Sequence, residues 1–346
     1  MKNWITTSET DNEDLVISSR IRLARNLSKV PFPHKLDQEK GKKVIKLIED
    51  AFYTSDTIRE EFKTNYLWEK SENDRKMFLE KHMISKNLLE NSNKSAFIIN
   101  KCETISIMLN EEDHVRIQCI TAGLNLEEVY DVSDRIDNIL EKNLSYAFDE
   151  KLGYLTACPT NLGTGLRASV MLHLPAISLS NQISGLLNAL GQVGMTIRGL
   201  YGEGSKAIGN VYQISNQVTL GRSEEEIMSN LKALVSQIIN EEKLVRDKLM
   251  KNSKYELEDK IYRSLGTLRS AVLLNSDECL KLLSYVRLGV EMGIIKDVSK
   301  AALNSLLVEI QPANIQNNYE KTLSSRERNY NRAKLVRNKL TETTVK

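Results

Sequence analysis

The run Cys158-Pro159-Thr160-Asn161-Leu162-Gly163-Thr164-Gly165-Leu166-Arg167-Ala168-Ser169 carries the densest chemistry in the chain. It holds a thiol, two glycines within three residues, small hydroxyl and amide side chains and one arginine, and it leads into apolar residues 170–174. Glycine lets backbone approach a ligand closely, and successive N–H groups in such a turn form an anion-binding concavity. Arg167 adds a planar, permanently charged fork matched to phosphate oxygens. Taken alone, the run also reads as a Gly-rich turn between core elements, with Arg167 on a solvated face.

Other arginines sit in comparable places. In Val16-Ile17-Ser18-Ser19-Arg20-Ile21-Arg22-Leu23 the apolar residues alternate with arginines. If extended, this segment puts Arg20 and Arg22 on one face, where they repel unless an anion lies between them; a salt-bridged surface segment is the alternative. Asn110-Glu111-Glu112-Asp113-His114 is an acidic turn between two strand-like runs, with Arg116 two residues beyond it. It reads either as a solvated hairpin tip or as a carboxylate held rigidly at a sheet edge. Arg198 precedes Gly199-Leu200-Tyr201-Gly202-Glu203-Gly204, one carboxylate among glycines, which suits a closing lid or an ordinary hairpin loop. His82, beside Met83 and Ile84, reads most simply as a structural histidine.

Several function classes are excluded. There is no G-x-x-x-x-G-K-[ST], no G-x-G-x-x-G opening a helix after a strand, no H-R-D, no D-F-G and no H-E-x-x-H, which argues against a P-loop ATPase, an ordinary protein kinase and a zinc hydrolase. A net charge of +2 gives no electrostatic case for nucleic acid. The four cysteines, Cys102, Cys119, Cys158 and Cys279, form no C-x-x-C pair. The N-terminus lacks an apolar h-region, and no stretch approaches a membrane span. The expectation is a soluble cytoplasmic protein without a protein-built metal site.

These residues need elements to hold them. Helical periodicity is expected over 38–52, 133–148 and 177–193, and in a long helix that Ser223 caps, with Ile227, Leu231, Leu234 and Ile238 inward. Residues 53–80 read as helix and loop. Strands are expected at 17–23, 96–100, 104–109, 115–120, 195–201 and 210–214. From 246 onward helical spacing dominates. Leu257, Ile261, Leu265, Leu268 and Val272 make one stripe, Ser276 caps a helix 277–290, and another helix starts at Asp297 or Ser299 and ends before Pro312. Arg328 and Arg332 share a face of a basic tail helix. The fold expected is α+β: residues 1–245 as a catalytic domain, and 246–346 as an all-helical domain.

Ser18 to Arg22, Asn110 to His114, Cys158 to Thr164 and Arg198 to Gly204, in that order, strongly resemble the phosphagen (guanidino) kinases. The metabolite kinases of that family carry a helical domain of about a hundred residues ahead of the first motif; here that motif begins at Ser18 and a helical domain follows instead, an arrangement similar to the family's bacterial protein-arginine kinase branch. The resemblance implies an antiparallel sheet flanked by helices, and transfer of the ATP γ-phosphoryl group to arginine side chains in proteins. It implies that Arg20, Arg22, Arg116, Arg167 and Arg198 grip the ATP phosphates, with Ser18, Ser19, Ile21, His82, Ala168, Ser169, Val170, Met171, Gly199, Leu200, Tyr201, Gly202 and Glu203 near the nucleotide. Mg2+ would bridge phosphate oxygens with few protein ligands. Glu112 is then the base, Glu203 the second carboxylate and Cys158 a contact to the acceptor guanidinium. The branch also implies a phosphoarginine site on an R-D-x-x-R-A motif, here Arg328, Asn329, Arg332 and Ala333 with asparagine in place of aspartate. It further implies a homodimer, allosteric regulation, an activator McsA, the ClpC unfoldase and a role in stress response and protein quality control. An enzyme acting on a free guanidino metabolite and a non-catalytic phosphoarginine reader are the alternatives.

Overall fold

The computed structural model describes residues 1–7, 15–199 and 207–342. Ten strands occur in it: β1 Val16–Arg25, β2 Phe62–Tyr66, β3 Ala96–Asn100, β4 Ile105–Leu109, β5 Val115–Ala122, β6 Phe148–Asp149, β7 Gly153–Tyr154, β8 Leu166–His173, β9 Met195–Arg198 and β10 Val211–Asn216. Eight of them form one sheet in the order β2-β3-β4-β5-β1-β8-β10-β9, and β6 pairs with β7. The pairings β2–β3, β3–β4, β4–β5 and β1–β5 are antiparallel.

The chain divides into two compact units that interleave in sequence. The first comprises Met1–Asn3, Ser18–Ser169 and Ser215–Lys232; the second comprises Trp4–Ile17, Val170–Ile214 and Ala233–Lys346. In the first unit the period-2 alternation decides which side chains meet. Ile21, Leu23, Ile117 and Cys119 are buried on one face of β1 and β5. Arg20, Arg22, Arg116 and Gln118 occupy the other, because Arg20 lies opposite Ile120, Arg22 opposite Gln118 and Arg116 opposite Ala24. The apolar face is covered by the helix Leu126–Glu141, which packs on β5 and on the helix Gln38–Phe52. Asp37 caps Gln38–Phe52 by accepting from the Lys40 N–H at 2.8 Å.

Local readings differ from this structure in instructive ways. Residues 53–80 contain β2 between the helices Asp56–Glu61 and Glu72–Glu80; its five residues pair with β3 although their own pattern is polar. The helix expected at 133–148 is Leu126–Glu141, since Leu126 and Val129 extend the buried stripe past Glu127 and Glu128. The single helix expected at 177–193 is two, Pro175–Leu179 and Ile183–Gln192. Asn181, at φ 55°, breaks the run, as asparagine tolerates the left-handed region.

In the second unit the helices Lys254–Ser270 and Ser276–Glu291 pack closely: a Cβ at Gly289 would lie 2.5 Å from Ile261 Cγ2. Asn275, not Ser276, caps the second of these, accepting from the Glu278 N–H at 2.9 Å. Val272 lies past the first helix and is exposed. Ser223 does cap the long helix Glu224–Asn252, where Val235 rather than Leu234 completes the buried stripe. Ser299 caps the helix Lys300–Glu309. Burial alone would raise the Glu291 pKa, but His173, then Arg287 bonded at 2.8 Å and Arg246 bonded at 2.7 Å, hold it well below the usual carboxylate range.

Gly165 shows how tightly the Gly-rich loop docks on β1. Its φ is +65°, and a Cβ there would lie 2.6 Å from both Ala24 O and Arg25 Nη1. Arg25 Nη1 donates to Thr164 O at 2.9 Å, and its Nε donates to Asp137 at 2.8 Å. Gly165→Ala is expected to lower stability by about 2 kcal/mol or more, read as a drop in the urea midpoint, whereas alanine at Gly221, with open space around its Cβ, should cost less.

Candidate active site

The arginine face of the first unit is an electrostatic anomaly. Arg22 is buried, and its guanidinium pKa is pushed well down, first by burial and then by Arg116, Arg20 and Arg167, with Glu111 acting the other way. Four guanidiniums therefore share one surface across β5, β1 and β8. Arg20 Nε donates to Ser169 Oγ at 3.3 Å, and Arg167, two residues before Ser169, falls on the same side of β8. Among the described residues, Arg22 Nε and Nη2 are buried without a hydrogen-bond partner. Such an arrangement is stable only if an anion accepts from these groups or other interactions offset the cost.

Glu111 supplies part of the offset. It is buried and bonded to Arg116 and to Ser85 Oγ. Burial alone would raise its pKa, but Arg116, Ser85 and Arg22 together hold it below the usual carboxylate range. Its neighbour Glu112 is half-buried and accepts from Asn87 Nδ2 at 2.9 Å.

Asp113 ties this turn to the cysteine loop. One oxygen, Oδ1, accepts from Asn26 Nδ2 at 2.6 Å and from the Ala157 N–H at 2.7 Å. Asn26, just past β1, also donates to Leu155 O and accepts from the His114 N–H, both at 2.9 Å. Three distant segments thus converge on one asparagine–aspartate pair, and Cys158 follows directly on Ala157. The Cys158 thiol lies 3.1 Å from Thr160 Oγ1, which also accepts from Arg167 Nη2 at 3.4 Å.

The turn itself is locked. Asn110, at φ 58°, donates to Gly41 O and Lys94 O, each at 2.9 Å. His114 accepts the Leu27 N–H on Nδ1 at 3.2 Å, which leaves Nε2 to donate to Pro31 O at 3.0 Å and fixes the neutral tautomer. Burial lowers its pKa to about 4. His82 is buried too, at φ 61°, with its carbonyl accepting from Gln118 Nε2 at 2.7 Å. Burial and then Arg20 lower its pKa to about 3, so this neutral ring sits near the arginine face.

A sequence model of the ATP:guanido phosphotransferase C-terminal catalytic domain matches residues 43–245, more than half of the chain. The chain belongs to the ATP:guanido phosphotransferase family. A second model, of the protein-arginine kinase McsB C-terminal domain, matches residues 254–346. The chain is 73% identical over 345 residues to a protein-arginine kinase of Clostridium kluyveri, covering 100% of both. It is 60% identical over 340 residues to one of Clostridium acetobutylicum, covering 98% of this chain and 100% of that one. Among solved structures it is similar to lombricine kinase (TM-score 0.60, 28% identity, 70% of each chain). It is also similar to the duplicated taurocyamine kinase of Schistosoma mansoni with transition-state analogue components (TM-score 0.61, 25% identity, 76% of this chain and 39% of that one).

For a guanidino phosphotransferase, the first unit brings together Ser18, Arg20, Arg22, His82, Glu112, Arg116, Cys158, Arg167 and Ser169. Ile21 and Ala168 belong to the same strands but are fully buried on the opposite face. Ser19 is occupied locally, its Oγ donating to Gly123 O at 2.7 Å. In the second unit Val170 and Met171 are buried on β8, Arg198 ends β9, and Gly199 follows. Leu200, Tyr201, Gly202 and Glu203 lie outside the described residues. In the tail helix Ser325–Glu342, Arg332 is buried, donating to Ile310 O at 2.6 Å, Leu274 O at 2.8 Å and Asn329 Oδ1 at 2.7 Å. Arg328 donates to Leu323 O at 2.6 Å, and Ala333 is fully buried. Sequence reasoning missed Asn26, Ser85, Asn87 and Gln118, none of which carries a spacing signal, and the pairing of Glu111 with Arg116.

Two outcomes follow. Arg22→Met removes a buried charge from a repulsive cluster; without nucleotide the protein should be as stable or more stable by about 1 kcal/mol, while ATP affinity falls at least about thirtyfold. The second concerns His82 and His114. Both pKa values are lowered from 6.5, so their stability contribution is present in full above about pH 6.5 and drains as pH falls toward the folded values. The urea midpoint should fall between pH 7 and pH 5, each histidine contributing up to about 1.4 kcal/mol per pH unit, and His114→Gln should flatten that slope.

Proposed function

We propose that the chain is an ATP-dependent protein-arginine kinase, which transfers the γ-phosphoryl group of MgATP to arginine guanidinium groups in proteins. The observation that carries the phosphoryl-transfer half is Arg22, a buried guanidinium with two unpartnered nitrogens among Arg20, Arg116 and Arg167. Such a site pulls in a polyanion and neutralises charge spread over the transferring group, which is most of what catalysis of this reaction requires. The family resemblance assigns a fifth arginine, Arg198 at the end of β9, to the phosphates. Mg2+ enters bound to the phosphates as part of the substrate. Support for a protein acceptor comes from the full-length likeness to proteins named protein-arginine kinase.

The acceptor side follows from guanidinium chemistry. Above a pKa of about 12 an arginine is cationic and a poor nucleophile. Glu112, half-buried and bonded by Asn87 Nδ2 at 2.9 Å, takes the proton as nitrogen attacks phosphorus. Glu203 is the second carboxylate of the fork, and Cys158 contacts the same guanidinium. ADP leaves with the electron pair of the cleaved γ-phosphate bond.

The wider reading is that phosphoarginine marks proteins for Clp-type degradation in stress response and quality control in the cytoplasm, with ClpC as the unfoldase and McsA as an activator. The catalytic part is residues 1–245. Residues 246–346 serve homodimerisation and regulation through phosphoarginine at Arg328, Asn329, Arg332 and Ala333. No helix among the described residues is long and apolar enough to cross a membrane.

The test is incubation with MgATP and either an unfolded arginine-rich protein or free arginine, reading acid-labile phosphate. Label on protein and none on free arginine is expected; label on free arginine alone would overturn the protein-acceptor reading. Glu112→Gln should cut the rate at least about a thousandfold with ATP binding retained.

A further inference from the structure

Asn26 follows directly on β1, is buried, and uses both ends of its amide. Its Nδ2 donates to Asp113 Oδ1 at 2.6 Å and to Leu155 O at 2.9 Å, while its Oδ1 accepts the His114 N–H at 2.9 Å. The amide orientation is dictated by these partners, since a carboxylate and a carbonyl only accept and a backbone N–H only donates. Asp113 extends the brace, because the same Oδ1 accepts the Ala157 N–H at 2.7 Å. The acidic turn is thereby fastened to residues 155–157 at two points, through Leu155 O and through the Ala157 N–H. Two fastenings set an orientation as well as a distance. Backbone bonds seat the same run: Asn26 O accepts the Ala147 N–H at 2.7 Å, and Ala147 O accepts the Leu155 N–H at 2.9 Å.

We infer that Asn26 is a positioning residue for the acceptor, acting with Asp113 to hold the turn that carries Glu112 at a fixed spacing from the loop that carries Cys158. This inference rests on the reading of Glu112 and Cys158 as contacts of the acceptor guanidinium. Glu112 directly precedes Asp113 and Cys158 directly follows Ala157, so each is adjacent in the chain to one end of the Asp113–Ala157 bond. Thr156 Oγ1 donates to Cys158 O at 2.8 Å, which carries the restraint on to the cysteine backbone. A guanidinium is planar and rigid, and groups that touch it together must be spaced to match it. A misplacement of about 1 Å at the reacting centre costs about a hundredfold in rate.

The residue type at position 26 matters. An amide donates to two acceptors and accepts from an N–H at once, which a single hydroxyl is too short to do. A leucine fills the same space but removes the partner of the Asp113 carboxylate, of Leu155 O and of the His114 N–H. An aspartate would set a second carboxylate against Asp113 and repel it. Asn26 is also the cleaner place to probe the brace. Asp113 interacts electrostatically with Arg116, so substituting it disturbs the arginine face as well. Substituting Asn26 removes the fastening without removing a charge.

The experiment uses the full chain with MgATP and an unfolded arginine-rich protein, and compares Asn26→Leu, Asn26→Ser, Cys158→Ala, the double variant Asn26→Leu with Cys158→Ala, and Glu112→Gln. Asn26→Leu should lower kcat/KM for the protein substrate about thirtyfold to a hundredfold while the ATP Kd stays within about threefold. Asn26→Ser, smaller and still polar, should lose less, and it takes the place of leucine throughout if that variant folds poorly. Because Asn26 acts through the placement of the Cys158 loop, the double variant should lose about as much as the worse single variant and not the product of the two losses. Losses that multiply, or an ATP Kd that rises in step with the lost rate, would reduce Asn26 to a structural role and overturn the inference. If Glu112→Gln is inactive while both Asn26 variants behave as the parent, the inference fails and the acceptor reading stands. If Glu112→Gln stays active, both fail.

Discussion

Arg20, Arg22, Arg116 and Arg167 carry four guanidiniums on one face of three neighbouring strands, and their mutual repulsion is the constraint around which the first unit is built. The sheet cannot relieve it, because β-strand alternation and the β1–β5 register place those side chains together whenever the opposite, apolar face is buried. The apolar face, with Ile21, Leu23, Ile117 and Cys119 under the helix Leu126–Glu141, therefore holds the charged face in place. Hydrophobic burial on one side of the sheet stabilises an arrangement that is unfavourable on the other until an anion arrives.

The surroundings of those arginines divide labour among three consecutive acidic residues. Glu111 is buried against Arg116 and offsets part of the repulsion. Asp113 is spent on Asn26 and the Ala157 N–H, and so couples the acidic turn to the cysteine loop. Glu112 alone of the three is half-exposed. The separation is physical: a carboxylate paired with a buried arginine is too well stabilised as an anion to take a proton readily, and one holding a loop cannot move toward a substrate. One short turn thus provides a counter-ion, a brace and a half-exposed third carboxylate.

Much of this was legible in the sequence, and the limits are informative. The four motifs, their order, the strand character of 17–23 and 115–120, the Ser223 cap and the helical run after 246 could all be read from local spacing, because each depends on residues within a few positions of one another. The failures were of one kind. β2 has a polar, unpatterned sequence and exists because β3 lies beside it. Asn181 ends a helix that apolar periodicity alone would continue. Gln118 looks like an ordinary polar strand residue until its amide is seen holding the His82 carbonyl.

The amino-acid order by itself determined which chemical groups are available and on which face of each strand or helix they fall, since both follow from backbone periods of two and 3.6 residues. Only the tertiary structure decided which partners Glu111 and Asp113 take. It also brought Ser85 and Asn87, some twenty-five positions earlier, against that turn, and made Asn26 the joint between β1, the acidic turn and the cysteine loop. These assignments depend on contacts between residues far apart in the chain. Such contacts leave no periodic trace, because a hydrogen bond is set by where two groups end up in space and not by how many residues separate them.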